Sequence, residues 1–279
     1  MQGAHASRLP IGLFDSGVGG LTVLAALHRR MPHEDLVYLG DTARLPYGTK
    51  SQETITRYAL QAARKLIEQR IKLLVIACNP ATSAALSEVR HALAPLPVIG
   101  VIEPGAAAAV EATRSGHIAV IATEATIARG AYQRAIANLL PGARVTGQAC
   151  SLLVALAEEG WLDGPVSESA AARYLDPIFS AADAPDCLLL GCTHFPLLLA
   201  PIRKALPSGT TIVDSAETTS ESVLDELAAN GLLRGGTGKN TGRGKIRFMT
   251  TDDPVRFART GSLFLGSQLL LDAVSLVDL

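Results

Sequence analysis

Short apolar runs bounded by turn residues alternate with amphipathic stretches along almost the whole of this 279-residue chain. Parallel strands require that alternation, because each pair needs a crossover connection and both faces of the sheet must be covered. Strand-like runs fall at residues 10–14, 35–39, 72–77, 98–101, 117–122, 144–148, 186–190 and 211–213. Apolar residues recur at helical spacing over 21–30, 54–69, 81–93, 104–114, 131–139 and 220–230. The fold class this predicts is α/β with mainly parallel sheets. The length suits one large domain or two of ordinary size, and a 48% hydrophobic content supplies the core.

A weak internal repeat divides the chain further. Ile11-Gly-Leu-Phe-Asp15-Ser16-Gly17 reads as a strand running into a small-residue turn and a helix, and Ile118-Ala-Val-Ile-Ala-Thr123-Glu124-Ala125 has the same grammar. Each half then reaches a cysteine turn. Two pseudo-symmetric α/β lobes with the active site in the cleft between them account for this pattern. The turn at 98–103 carries the chain into the second lobe, and a return near 207–211 leaves the last segment to complete the first. The expected division is 8–99 plus 210–279 against 100–209. The glycine-rich stretch 235–244 lacks a Gly-Lys-Ser/Thr motif opening a helix, so it reads as a solvated connector rather than a phosphate cradle.

Two of the four cysteines stand where strands end. Cys78 follows Leu73-Leu-Val-Ile-Ala and precedes Asn79, while Cys192 follows Leu188-Leu-Leu-Gly and precedes Thr193 and His194. Free cysteine usually packs in cores, and Cys150 and Cys187 fit that bland reading. Strand-end placement with polar neighbours sets Cys78 and Cys192 apart, since ligands in open α/β sheets bind outside the carboxyl ends of strands. Two such thiols facing one substrate could remove a proton from one side of a carbon and return it to the other. Four cysteines in a chain of this length do not resemble a disulfide scaffold. Residues 1–10 have no apolar core of signal-peptide length, and no run approaches a membrane span. A reducing cytoplasm is the expected location. A net charge of −1 offers no electrostatic case for nucleic acid or a membrane surface.

Asp15-Ser16-Gly17-Val18-Gly19-Gly20 lies between a strand and a helix, where backbone N–H groups attract anions and glycines allow close approach. Thr22 occupies the final glycine position of the dinucleotide pattern, and no lysine follows. A carboxylate is therefore the guest, with Ser16 as hydroxyl donor, or else Asp15 and Ser16 simply cap the helix. Asp41-Thr-Ala-Arg-Leu-Pro-Tyr47-Gly48 is a tight turn, read as structural or as a source of backbone donors. His194 is placed to tune Cys192, since a free thiol titrates near ~8.5 and needs help to act as a base at neutral pH. It reaches the sulfur only if the local chain keeps residues i and i+2 together.

These motifs, joined by Ala77-Cys-Asn, Gly100-Val-Ile-Glu-Pro-Gly105, Gly191-Cys-Thr-His-Phe-Pro196 and Val213-Asp-Ser-Ala-Glu217, resemble in order and spacing the motif series of bacterial glutamate racemases. Thr251-Asp-Asp-Pro-Val-Arg-Phe257 and Phe264-Leu-Gly266 extend the resemblance to the carboxyl-terminal region. It implies interconversion of L- and D-glutamate with no cofactor and no metal, D-glutamate supply for peptidoglycan in a bacterial cytoplasm, and commonly a homodimer. By position, Cys78 takes the α-proton of D-glutamate and Cys192 that of L-glutamate, assisted by Asp15 and His194 respectively, with Asp41 and Glu158 as support. Asp15, Ser16, Tyr47, Gly48, Asn79, Thr193 and His194 are the implied substrate-binding positions, joined by Thr123 and Thr126. The family has threonine after Cys-Asn, whereas this chain has Pro80, which lacks both hydroxyl and N–H. Either Thr82 or Ser83 then compensates, or the loop is rearranged.

Other readings stay open at this level. A racemase of aspartate or another amino acid would keep the same thiols. A thiol hydrolase using Cys192, His194 and an acid would leave Cys78 without purpose. A zinc site from Cys187, Cys192 and His194 lacks recognisable spacing, and a relative without activity could still bind an amino acid. Racemisation without pyridoxal phosphate demands preorganised hydrogen bonds in a water-excluding cleft, because the α-carbanion has no electron sink.

Overall fold

The central strands in this chain are apolar on both faces, and that decides how they pair. The computed structural model describes residues 6–234 and 242–279; most of the glycine-rich connector expected at 235–244 lies outside the described residues. β1 (Ile11–Asp15), β2 (Leu36–Gly40), β3 (Leu73–Ile76) and β4 (Val98–Gly100) belong to one sheet. β5 (His117–Ala122), β6 (Arg144–Ala149), β7 (Cys187–Gly191) and β8 (Thr211–Asp214) form the second. β9 (Ile246–Thr250) and β10 (Val274–Leu276) return to the first. The strand orders are β10-β9-β2-β1-β3-β4 and β6-β5-β7-β8, with every pairing parallel. Continuous apolar strands such as β1, β2, β3 and β7 are buried throughout, as central parallel strands must be.

The crossovers are helical: α1 (Leu21–Arg30), α2 (Gln52–Ile67), α3 (Asn79–Leu93), α4 (Ile102–Ala112), α5 (Glu124–Ala128) and α6 (Ala131–Leu139). They are followed by α7 (Ser151–Glu158), α8 (Gly164–Phe179), α9 (Leu199–Lys204), α10 (Ser215–Ala229) and α11 (Pro254–Leu265). Alternation along β1 sorts its side chains into two cores. Leu13 joins Leu24, Tyr38, Val120 and Leu189 in a cluster continuous across both sheets, while Phe14 packs outward with Ile55, Leu74 and Val89 beneath α2 and α3.

The α/β class and parallel sheets match the sequence expectation, with one boundary moved. β8 pairs with β7, Leu188 opposite Ile212, so residues 211–214 belong to the second sheet rather than the first lobe. The return comes through α10, which packs on both α1 and α4. Two kinds of element escaped the pattern reading. α7 is nearly uniformly apolar over Leu152-Leu-Val-Ala-Leu-Ala, and α8 carries Pro165 and Pro177, so neither shows a clear helical period. β9 and β10 are short and partly exposed, and β10 lies at the edge of its sheet. Among the described residues no helix is long and apolar enough to cross a membrane.

At the amino-terminal end of the first sheet, Lys72 and Glu34 form a buried ion pair. The ammonium also donates to the carbonyls of Ser7 and Leu232, and Glu34 accepts the Arg234 N–H at 2.8 Å. Removing one partner strands the other charge. Lys72→Met is expected to lower unfolding stability by about 3–5 kcal/mol, read by chemical denaturation, with part of the loss recovered when Glu34→Gln is added.

Candidate active site

The carboxyl ends of β1, β3, β5 and β7 converge on a small cavity of about 60 Å³. The first lobe contributes Asp15, Ser16, Cys78, Asn79 and Pro80 to its walls, and the second contributes Thr123, Cys192, Thr193 and His194. Tyr47 and Gly48 border it from the turn after β2, and Glu158 reaches it from the end of α7. Gly48 approaches Thr123 so closely that a Cβ would stand 3.2 Å from the threonine Cβ.

Cys78 is buried, and its thiol donates toward Ser16 Oγ at 3.6 Å. Asp15 caps the start of α1, one of the two readings left open by its motif. Its Oδ2 accepts the N–H groups of Gly17 and Gly20, at 3.2 and 3.1 Å, at the start of α1, and the same carboxyl hydrogen-bonds with Cys78. Burial pushes the Asp15 carboxyl up, while the His194 charge and the two N–H groups pull the other way. Burial, reinforced by the charge on Asp15, pushes the Cys78 thiol well above its ordinary range. This half of the cavity holds its proton tightly.

The Cys192 half is built differently. After β7 the chain turns at once, and the turn lets residues 192 and 194 meet: His194 Nδ1 lies 3.7 Å from Cys192 Sγ. His194 Nε2 lies 3.1 Å from Glu158 Oε1, and the ring packs edge-on against Phe264, centroids 5.0 Å apart. Burial opposes a charged ring, but hydrogen bonds to Cys192 and Glu158 outweigh it and lift the imidazole to about 10. The same bond from His194 holds Glu158 below the usual carboxylate range, against the pull of burial. Cys192 thus has beside it an imidazole whose protonated form is favoured, where Cys78 has a carboxyl.

Close approach between the lobes depends on Gly19, since a Cβ there would lie 2.4 Å from Thr193 Oγ1 and 2.5 Å from His194 Cε1. Thr22, the residue that broke the dinucleotide pattern, donates its hydroxyl to the Thr193 carbonyl at 3.0 Å.

Asn79 opens α3 and is buried with its Nδ2 unpartnered. Its Oδ1 accepts the Tyr132 phenol at 2.7 Å. Tyr132 gave no signal in the sequence, because with Ile136 it reads as the apolar face of an amphipathic helix. Pro80 sits in the first turn of α3, where its missing N–H had no intrahelical partner. The compensation expected from Thr82 or Ser83 is not there. Thr82 donates to the Ile76 carbonyl at 3.0 Å and accepts the Val101 N–H, and Ser83 donates to the Pro80 carbonyl at 2.9 Å. Neither hydroxyl lines the cavity.

Two further expected residues stand behind the wall rather than in it. Thr126 is buried with its hydroxyl 3.2 Å from that of Thr123. Asp41 accepts the Tyr47 phenol, Arg44 Nε and the Thr251 hydroxyl, so it braces the turn that carries Tyr47 and Gly48. Cys150 and Cys187 are buried outside the cavity. Among the described residues no cluster of three or more histidines, cysteines or carboxylates is arranged to hold a metal.

The chain is similar to known proteins over most of its length. The Asp/Glu/hydantoin racemase family model matches residues 21–223. Glutamate racemase of Geobacter metallireducens is 47% identical over 259 residues, covering 93% of each chain. The structure of glutamate racemase from Francisella tularensis in complex with D-glutamate superposes with a TM-score of 0.88 at 36% identity, over 98% of both chains. A glutamate racemase isoform of Bacillus anthracis gives 0.90 at 37% identity, again over 98% of both.

The His194–Glu158 pair has a pH signature. His194, raised in the folded state, contributes stability that is full below its unfolded value near ~6.5 and is lost as pH rises through about 10. Glu158, lowered, contributes above its unfolded value and loses that contribution as pH falls. An NMR titration is expected to find His194 protonated through neutrality. Glu158→Gln is expected to lower its midpoint by about one unit or more.

Proposed function

Because the chain belongs to the Asp/Glu/hydantoin racemase family, we propose that it interconverts L- and D-glutamate without a cofactor, by a two-base mechanism that supplies D-glutamate for peptidoglycan. One observation carries the reading: two thiols from two different sheets line a single cavity, each with its own proton-handling partner.

In this mechanism the Cys78 thiol gives its proton to Asp15, and the resulting thiolate takes the α-proton of D-glutamate. The planar carbanion receives a proton on its opposite face from the Cys192 thiol. The reverse reaction starts at Cys192, where the His194 imidazolium stabilises negative charge on the sulfur. Substrate carboxylates take the Ser16 hydroxyl, the free Asn79 amide and donors at Gly48 and Thr193. An Asp15 carboxyl oxygen accepts from the α-ammonium. Burial of these groups excludes water, so each hydrogen bond to the developing carbanion counts for more than it would in solution. Pro80 removes a donor from this set without opening the cavity, and the remaining donors carry the substrate.

A racemase has an equilibrium constant of one, so any lesion lowers kcat/KM equally in both directions and cannot by itself say which thiol serves which enantiomer. Isotope exchange can. In D2O, Cys78→Ala and Cys192→Ala are each expected to lose racemisation by about 10²–10⁴-fold or more. Residual α-proton exchange should be confined to L-glutamate in Cys78→Ala and to D-glutamate in Cys192→Ala, followed by NMR. Near wild-type racemisation by either variant, or no exchange of glutamate by the wild type, would contradict the reading.

A further inference from the structure

Tyr132 stands on α6 in the second lobe and is only 1% exposed. Its phenol crosses to the first lobe and donates to Oδ1 of Asn79, the residue after Cys78. Its ring presses on Gly191, the residue before Cys192, where a Cβ would lie 2.8 Å from Tyr132 Cε2. One buried side chain thus touches the chain neighbours of both thiols.

The contact with Asn79 has a chemical consequence. A carboxamide offers a donor end and an acceptor end, and whichever end is held decides what the other presents. Here the acceptor end is held by a phenol that burial, together with charge on Cys192, keeps protonated far above neutral pH. The donor end is left free, buried and unpartnered, on a residue that lines the cavity. An unsatisfied buried N–H group is costly, and here its natural partner is an anionic oxygen of the substrate. If the amide turned over, its oxygen would face that anion instead.

We infer that Tyr132 is a positioning residue that fixes the Asn79 amide with its N–H₂ toward a substrate carboxylate and, by wedging against Gly191, ties that carboxylate subsite to the Cys192 loop. The inference rests on the reading of this cavity as the glutamate site.

The test is a double-mutant cycle of Tyr132→Phe and Asn79→Ala, with KM and kcat for both glutamate enantiomers. Phenylalanine keeps the wedge and removes only the donor. Tyr132→Phe is expected to raise KM about 10-fold with kcat within about threefold of wild type, and Asn79→Ala to raise KM at least as much. The double variant should be no worse than Asn79→Ala alone, because the phenol acts through the amide. A merely structural role would lower the unfolding midpoint and leave KM alone. A second variant, Asn79→Asp, keeps an acceptor for the phenol but turns the unpartnered donor into an acceptor, and D-glutamate binding by calorimetry should weaken at least about 100-fold. Unchanged KM in Tyr132→Phe, its full effect persisting in the Asn79→Ala background, or normal D-glutamate binding by Asn79→Asp would overturn the inference. Those results would leave the racemase reading intact, whereas a wild-type protein that fails to racemise glutamate would remove the reading itself.

Discussion

The two thiols line one cavity only because the lobes that carry them share a core. Leu13, Leu24 and Tyr38 beside the first sheet are buried in the same cluster as Val120, Leu189 and Leu198 beside the second. Close-packed interiors do not deform continuously, so this continuity sets the distance between the carboxyl ends of β3 and β7. Gly19 against His194, Thr22 on the Thr193 carbonyl and Gly48 against Thr123 then bring the loop ends together. Each contact needs a small or hydroxyl residue at a particular position. The cleft is a product of packing before it is a product of chemistry.

Within that frame the two halves are related in backbone and different in charge. Both cysteines follow a strand and precede a polar residue, yet one meets a buried carboxyl and the other a histidine held by a second carboxylate. Burial favours the protonated state at Asp15 and Cys78, while paired hydrogen bonds favour the cation at His194. A reaction that exchanges the protonation of two thiols on every turnover needs partners that can tolerate either state of the sulfur. In the proposed reaction Asp15 and the His194–Glu158 pair would meet that need by opposite routes.

Much of this was legible in the chain. Continuous apolar runs announced buried parallel strands, and Cys78 and Cys192, each after such a run and before a polar residue, stood apart from Cys187 within one; Cys150 also follows a strand and precedes Ser151, and only its burial outside the cavity separates it. Asp15 was legible as a helix cap or as part of a binding site, and its hydrogen bonds from Gly17 and Gly20 show the cap. What escaped depends on neighbours distant in sequence. Tyr132 looks like any apolar helix position until Asn79 and Gly191 are placed beside it. The hydroxyls of Thr82 and Ser83 looked available until their carbonyl partners appeared. β8 could have closed either sheet on its own pattern, and only its register against β7 assigns it to the second. Uniform hydrophobicity hid α7, since a helix apolar on all sides shows no period.

Two bases rather than one is the central claim, and the label carried by the first product formed tests it most directly. Protiated L-glutamate would be turned over in D2O to low conversion, and both enantiomers analysed for deuterium at the α-carbon. The two-thiol account predicts deuterium in the D-glutamate formed and protium in the L-glutamate that remains, because the abstracted proton stays on Cys192 while Cys78 delivers one from solvent. Product that kept its original proton would mean that a single group carries it from face to face, and the account would be wrong.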